Sequence, residues 1–261
     1  MTGSNNSPHN RQGQVLLIAV MLLATVITVV MTITFNSTSE TRVAKLEEDS
    51  QKALAAAQAG IEVALQQGTT VPIASLGQFN EQGITGNAQV TSISQPYFIS
   101  PLLQKDEQYT FYLANYPSLS PSWNGSINIS FASEPGQCPS LEVTVITTTG
   151  TMQRYAYNSC SPQWITNVDP NSTIETPITL DSTSFAWRTR DPISITGGVM
   201  VFVKVIGGRS KLGIQNVLVE NLPSQGKTVE SEARTASGVV KKIQLFQSYP
   251  QIPAVFMTTS F

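Results

Sequence analysis

The chain has 261 residues, a net charge of −2 and only 12% charged residues, about half the usual share. Its polarity comes instead from Ser, Thr, Asn and Gln, which fits a β-rich extracytoplasmic protein better than a cytosolic enzyme. Residues 12–187 carry 5 basic and 13 acidic side chains and residues 188–261 carry 9 and 4, but the basic residues are scattered, so no nucleic-acid partner is expected.

Residues 1–13 are polar and punctuated by Pro8, and read as a leader or short cytoplasmic tail. A change of character follows at once. From Gln14 to Ser39 there is no charge, and thirteen of the residues from Val15 to Phe35 are Leu, Ile, Val or Phe. As a helix this stretch is about 31 Å long, the thickness of a bilayer core. Those thirteen side chains favour insertion by roughly 4 to 8 kcal/mol. Thr25, Thr28, Thr32 and Thr34 offset part of that unless their hydroxyls bond back to helix carbonyls. The run is too long for a cleaved secretory signal and lacks an Ala-x-Ala site. Arg11 is the only charge before Glu40, so the N-terminus is expected in the cytoplasm and the bulk of the chain outside.

The helical pattern continues past the apolar run. Val43, Leu46, Ser50, Leu54, Ala57, Ile61 and Leu65 recur at spacings of three and four, a narrow apolar stripe among many alanines. Those alanines keep the face thin enough for close approach, and Gly60 reads as a weak point. Gly68 is the natural stop, and no proline interrupts residues 15–67. One continuous helix over 14–68, with 15–35 transmembrane, is therefore expected.

Beyond Val71 short alternating runs between Pro, Gly, Asn and Ser predict strands at 89–93, 109–114, 126–131, 141–147, 152–157, 185–188, 199–206, 216–220, 227–234 and 239–249. Residues 199–206 form the most apolar run outside the membrane segment and are expected to be a central strand. Ser161 to Asp181 reads as a linker, dividing the β region into modules 69–165 and 166–261. The fold class is thus α+β: a long N-terminal helix followed by antiparallel sheet. Cys138 and Cys160 flank the predicted 141–157 hairpin, and in an exported chain they read as a disulfide clamping its open end.

Catalytic signals are sparse. The only histidine is His9, in the leader, so His-based triads and His metal sites are not expected. Gly207–Gly213 has the glycines of a phosphate loop without its spacing and reads as a turn. Glu47-Glu48-Asp49 reads as a solvated helix face, Asp106-Glu107 as a loop. Tyr97, Phe98, Tyr109, Phe111, Tyr112 and Tyr116 read as core rather than a binding platform. Neither an enzyme nor a cofactor or metal site is expected.

Arg11-Gln12-Gly13, the uncharged run from Val15 to Phe35, the transition Ser37-Thr38-Ser39-Glu40-Thr41-Arg42 and the Ala/Gln-rich helix Gln51 to Leu65 together resemble the type IV pilin superfamily, more narrowly the PilX-type minor pilins. The resemblance covers about a fifth of the chain, its N-terminal region only. It implies cleavage by a prepilin peptidase after Gly13, leaving Gln14 as an N-methylated first residue. It also implies a membrane partner before assembly and other pilin subunits as partners of the N-terminal helix afterwards, with the β-rich region exposed for assembly or adhesion. Major subunits of that family carry Glu at the fifth mature position, to neutralise a neighbour's terminal amine. Here that position is Ile18, which points to a minor subunit. A single-pass surface protein with a β-rich binding ectodomain is the competing expectation.

Overall fold

The structure is a computed structural model that describes residues 11–166, 168–169 and 172–253. Residues 1–10 of the expected leader, His9 among them, lie outside the described residues.

The fold is α+β: one long helix, then antiparallel strands. Helix α1 runs unbroken over Arg11–Gln67, 57 residues, or about 85 Å. It ends where the sequence suggests: Gly68 takes φ 69° and its N–H reaches the Ala64 carbonyl at 2.8 Å, the left-handed cap that glycine adopts without steric cost. The chain divides into two compact units, each interrupted in sequence.

The first unit comprises residues up to Gln89 together with Glu230–Ile243. After α1 come β1 (Val71–Pro72), a 3₁₀ turn at Ile73–Ser75, a one-turn helix α2 (Gln78–Glu81) and β2 (Thr85–Thr91). Strands β1 and β2 belong to a four-stranded sheet completed from the far end of the sequence by β12 (Gly226–Arg234) and β13 (Val240–Ser248), in the order β1-β2-β12-β13. A small core of Ala56, Ala57, Ile73, Phe79, Ile84 and Ala233 joins helix to sheet.

The second unit comprises Val90–Val229 with the residues from Gln244 onward. It holds β3 (Tyr97–Ile99), β4 (Gln108–Tyr112), β5 (Trp123–Phe131), β6 (Ser140–Thr147), β7 (Met152–Asn158), β8 (Thr173–Leu180), β9 (Thr183–Thr189), β10 (Ile193–Ile206) and β11 (Gly213–Asn216). These form a nine-stranded sheet whose main path is β3-β11-β5-β10-β6-β7, with β4 beside β10 and β9 between β5 and β8. The expected central strand is longer than its apolar run. β10 lies along β6 on one side, and on the other it meets β5 through Ile193–Gly198 and β4 through Met200–Lys204. The change of neighbour coincides with a register shift beside Gly197, whose φ of 67° suits a residue without Cβ. Val201, Val203 and Val205 then enter a core shared with Leu141, Val143 and Val145 of β6, and all six are fully buried.

Three expectations need correcting. Residues 161–181 are not a linker throughout: Thr173–Leu180 is β8, paired with β9 across a two-residue turn at Asp181-Ser182. Its polar, proline-containing sequence hides the pairing, because only Thr173 and Leu180 of this strand are buried. A strand over 216–220 does not form either. β11 ends at Asn216, and Val217, Leu218 and Val219 form an exposed turn held by the Asn216 side chain, which accepts from the Leu218 N–H and donates to the Glu220 carbonyl. Nor does a division near residue 165 follow the strand order, since β10 hydrogen-bonds to β4, β5 and β6 from the other side of that boundary. A boundary read along the sequence cannot register antiparallel pairing between distant strands.

Candidate functional site

The feature with the clearest functional geometry is α1 itself. Every residue from Val15 to Thr38 is exposed, including all the bulky apolar ones, and Ile18 is 58% exposed. Among the described residues this is one helix long and apolar enough to cross a membrane. The threonines are accommodated as expected: Thr25 Oγ1 donates to the Leu22 carbonyl at 2.8 Å, Thr28 to Ala24 and Thr25, Thr32 to Thr28 and Thr34 to Val30, so each hydroxyl is satisfied within the helix. Gly13 and Gln14 both fall inside α1.

Further along, α1 changes surroundings. Glu48 pairs with Lys52 one turn on, at 2.6 Å on an exposed face. Then Ala53, Ala56, Ala57, Gly60, Ile61 and Ala64 are buried in turn, the spacing of one helix face. Gly60 is the point of closest approach. A Cβ there would lie 2.5 Å from Ile73 Cδ1, 2.9 Å from Ser231 Oγ and 3.2 Å from Ala88 Cβ. The glycine read as a weak point is therefore a packing requirement. Val43, Leu46 and Leu54 of the expected stripe stay outside, at 66%, 53% and 40% exposure. The packed face is chosen by small size rather than by hydrophobicity.

Cys138 and Cys160 are bonded, with Cα atoms 5.1 Å apart. They stand two residues beyond the paired ends Ser140 and Asn158 of the β6–β7 hairpin, so the bond clamps its open end as the sequence suggests. Inside the clamp Ser140 Oγ donates to Asn158 Oδ1 at 2.5 Å, and Asn158 Nδ2 donates to the Ile165 carbonyl at 2.8 Å.

Two of the remaining candidates run side by side: Leu103, at the start of the turn that carries Asp106, exchanges backbone hydrogen bonds with Ser210 of the Gly207–Gly213 stretch. Gly207–Gly213 is a turn joining β10 to β11. Asp106 lies in the turn before β4, and the Glu107 carboxylate accepts the Gln104 N–H at 2.7 Å, which closes that turn. Tyr109, Phe111 and Tyr112 are core, while Tyr116 is 38% exposed and stacks on Tyr249 at 4.8 Å. Burial pushes the Tyr109 phenol up to about 12, and its hydroxyl has no hydrogen-bond partner.

One feature of this unit had no signal in the sequence. Tyr97, Phe98, Ile99, Leu222 and Phe246 line an apolar groove of about 290 Å³ with Gln225 on its wall. Its sides come from three separate stretches of chain, 93–101, 222–228 and Phe246, so no local motif could mark it.

Comparison of the chain with protein-family models, with curated proteins and with solved structures finds no match in any of the three.

Proposed function

We propose that this chain is a pilin-like minor structural subunit of a type IV pilus or related filament. In this reading the segment Val15 to Phe35 anchors it in the cytoplasmic membrane, with the N-terminus inside and the β-rich region exported. A prepilin peptidase cuts between Gly13 and Gln14. On assembly the freed helix exchanges lipid for the helices of neighbouring subunits, while the β-rich region faces outward for assembly or adhesion contacts.

The single observation that carries the proposal is the two-part α1: 57 unbroken residues, uncharged and exposed from Val15 to Thr38, then packed by small residues from Ala53 to Ala64. A membrane anchor alone needs only about 20 residues of helix. Here the same helix continues as the spine of a folded unit, so the apolar half is rigidly coupled to it, and a filament core of parallel helices needs such coupling. Ile18 in place of a carboxylate favours a minor position, because a repeating subunit would leave each buried ammonium unpaired in an apolar core.

The test is replacement of Gly13 by a bulky residue. Gly13→Leu is expected to leave the precursor uncut and absent from sheared filaments. Wild-type incorporation of Gly13→Leu would refute the peptidase assignment. A chain that stays in the membrane, uncut in both forms, would instead be an anchored surface protein.

A further inference from the structure

Among the described residues, strand β4 has one edge on β10 and one edge that meets no strand. Residues along an antiparallel strand direct their N–H and C=O alternately to either side. Leu113 N–H bonds to the Val199 carbonyl, and Val205 N–H to the Glu107 carbonyl, so the odd-numbered residues face β10. Thr110 and Tyr112 therefore turn their backbone groups to the other side.

Two side-chain amides meet them there. Gln225 Oε1 accepts the Tyr112 N–H at 2.8 Å while Gln225 Nε2 donates to the Tyr112 carbonyl at 2.7 Å. Gln251 Oε1 accepts the Thr110 N–H at 2.7 Å while its Nε2 reaches the Thr110 carbonyl at 3.5 Å. A primary amide offers one donor face and one acceptor face, as a peptide unit does. The two glutamines thus occupy the places that two residues of an adjoining strand would take.

The segment that carries Gln251 lies along the same edge. Tyr112 Oη donates to the Pro250 carbonyl at 2.7 Å, the Ile252 N–H to Thr110 Oγ1 at 3.2 Å, and Gln108 Nε2 to the Ile252 carbonyl at 3.2 Å. Gln225 is 4% exposed and is fixed from behind: its Nε2 also donates to the Pro223 carbonyl, and its own carbonyl accepts the Tyr249 N–H.

What this arrangement shuts out follows from the strand. β4 reads Gln-Tyr-Thr-Phe-Tyr, with no charge, proline or glycine, the composition that makes a bare edge a template for another strand. Natural edges of this kind usually carry a lysine or a bulge; this one carries neither in its five residues. Two copies of β4 are also complementary to each other. Antiparallel about a two-fold axis at Thr110, Gln108 of one copy stands opposite Tyr112 of the other, every free N–H finds a C=O, and no like charges meet.

We propose that the free edge of β4 is a latent self-association surface of this chain. Gln225, Gln251 and the segment Tyr249 to Ile252 hold it closed, and its occupant when opened is β4 of a second copy. The proposal does not rest on the pilin reading, because the surface involves no residue of α1.

The test uses the full chain, purified in detergent, with Thr110→Cys as a reporter. Under mild oxidation, Thr110 residues facing each other across the two-fold axis are within disulfide reach. With both glutamines intact, Thr110→Cys is expected to stay unlinked. In the Gln225→Ala/Gln251→Ala background the linked dimer is expected to rise about tenfold, the equivalent of roughly one net hydrogen bond. A folded double variant, recognised by its intact Cys138–Cys160 bond and cooperative melting, that gives no linked dimer overturns the proposal, and so does full linkage with the glutamines intact. Should the double variant fail to fold, Gln225→Asn/Gln251→Ala replaces it: the shorter amide keeps a polar group at the buried position but no longer spans to the Tyr112 backbone groups, and this variant too must link. Association through α1 would not join these cysteines, so failure here leaves the filament reading untouched.

Discussion

Between Val15 and Phe35, α1 carries thirteen Leu, Ile, Val or Phe residues and leaves them all exposed; between Ala53 and Ala64 it buries four alanines, one glycine and one isoleucine. In a protein surrounded by water alone this is the wrong way round, since large apolar side chains gain most from burial. In the proposed reading two different solvents resolve it. There the first half presents bulk to an apolar surrounding that the chain itself does not supply. The second half lets a sheet approach so closely that only hydrogen fits at Gly60. Side-chain size thus serves opposite ends within one helix.

Four changes would break or sharpen that contrast. Val26→Arg should have the largest effect, costing about 3 to 4 kcal/mol of membrane insertion while leaving the melting of the β-rich region unaltered. Membrane fractionation reads the first quantity and circular dichroism the second; wild-type retention in the membrane would contradict the lipid assignment. Cys138→Ser supplies a comparison outside α1. Freeing a bond between cysteines 22 residues apart should lower the stability of the second unit by about 3 kcal/mol, and adding reductant to the wild type should reproduce the loss.

Gly60→Leu should destabilise the first unit by about 2 to 3 kcal/mol through overpacking against Ile73 and Ser231. Gln58→Leu, an exposed neighbour on the same helix, should stay within about 0.5 kcal/mol. Equal melting temperatures for the two variants would remove the close-packing argument.

Tyr109→Phe should have the smallest effect at neutral pH, within about 1 kcal/mol, because the lost hydroxyl is buried without a partner. Its signature is pH dependence. The folded state holds the phenol neutral up to about 12, above the ordinary 10, so its contribution is complete below pH 10 and is lost as pH rises towards 12. Denaturant titrations between pH 9 and 12 should fall less steeply for Tyr109→Phe, with Tyr112 and Tyr157, also raised by burial, accounting for the slope that remains.

Much of this was legible in the sequence for simple reasons. An uncharged run of bilayer length without proline has few structural outcomes, so α1 and its stop at Gly68 could be read directly. The disulfide was legible because both cysteines flank a hairpin with clear period-two alternation. The packed face of α1 was read only in part. A stripe chosen for hydrophobicity through Leu46 and Leu54 shares just Ala57 and Ile61 with the buried face. What selects the rest is the nearness of Ile73, Ala88 and Ser231, which arrive from distant sequence. β8 was missed because Glu175, Thr176 and Pro177 interrupt its apolar residues and only Thr173 and Leu180 are buried, and Val217 to Val219 misled because apolar residues were assumed to be covered. Gln225 and Gln251 carry no periodic signal at all; a glutamine that mimics a strand is visible only beside the strand.

The most direct test of the filament account is the mass of the mature N-terminus. Intact and peptide-level mass spectrometry of the chain recovered from its native membrane or filament fraction should find Gln14 as the first residue, carrying one N-methyl group. A mature chain that retains Met1 to Gly13 would contradict the account.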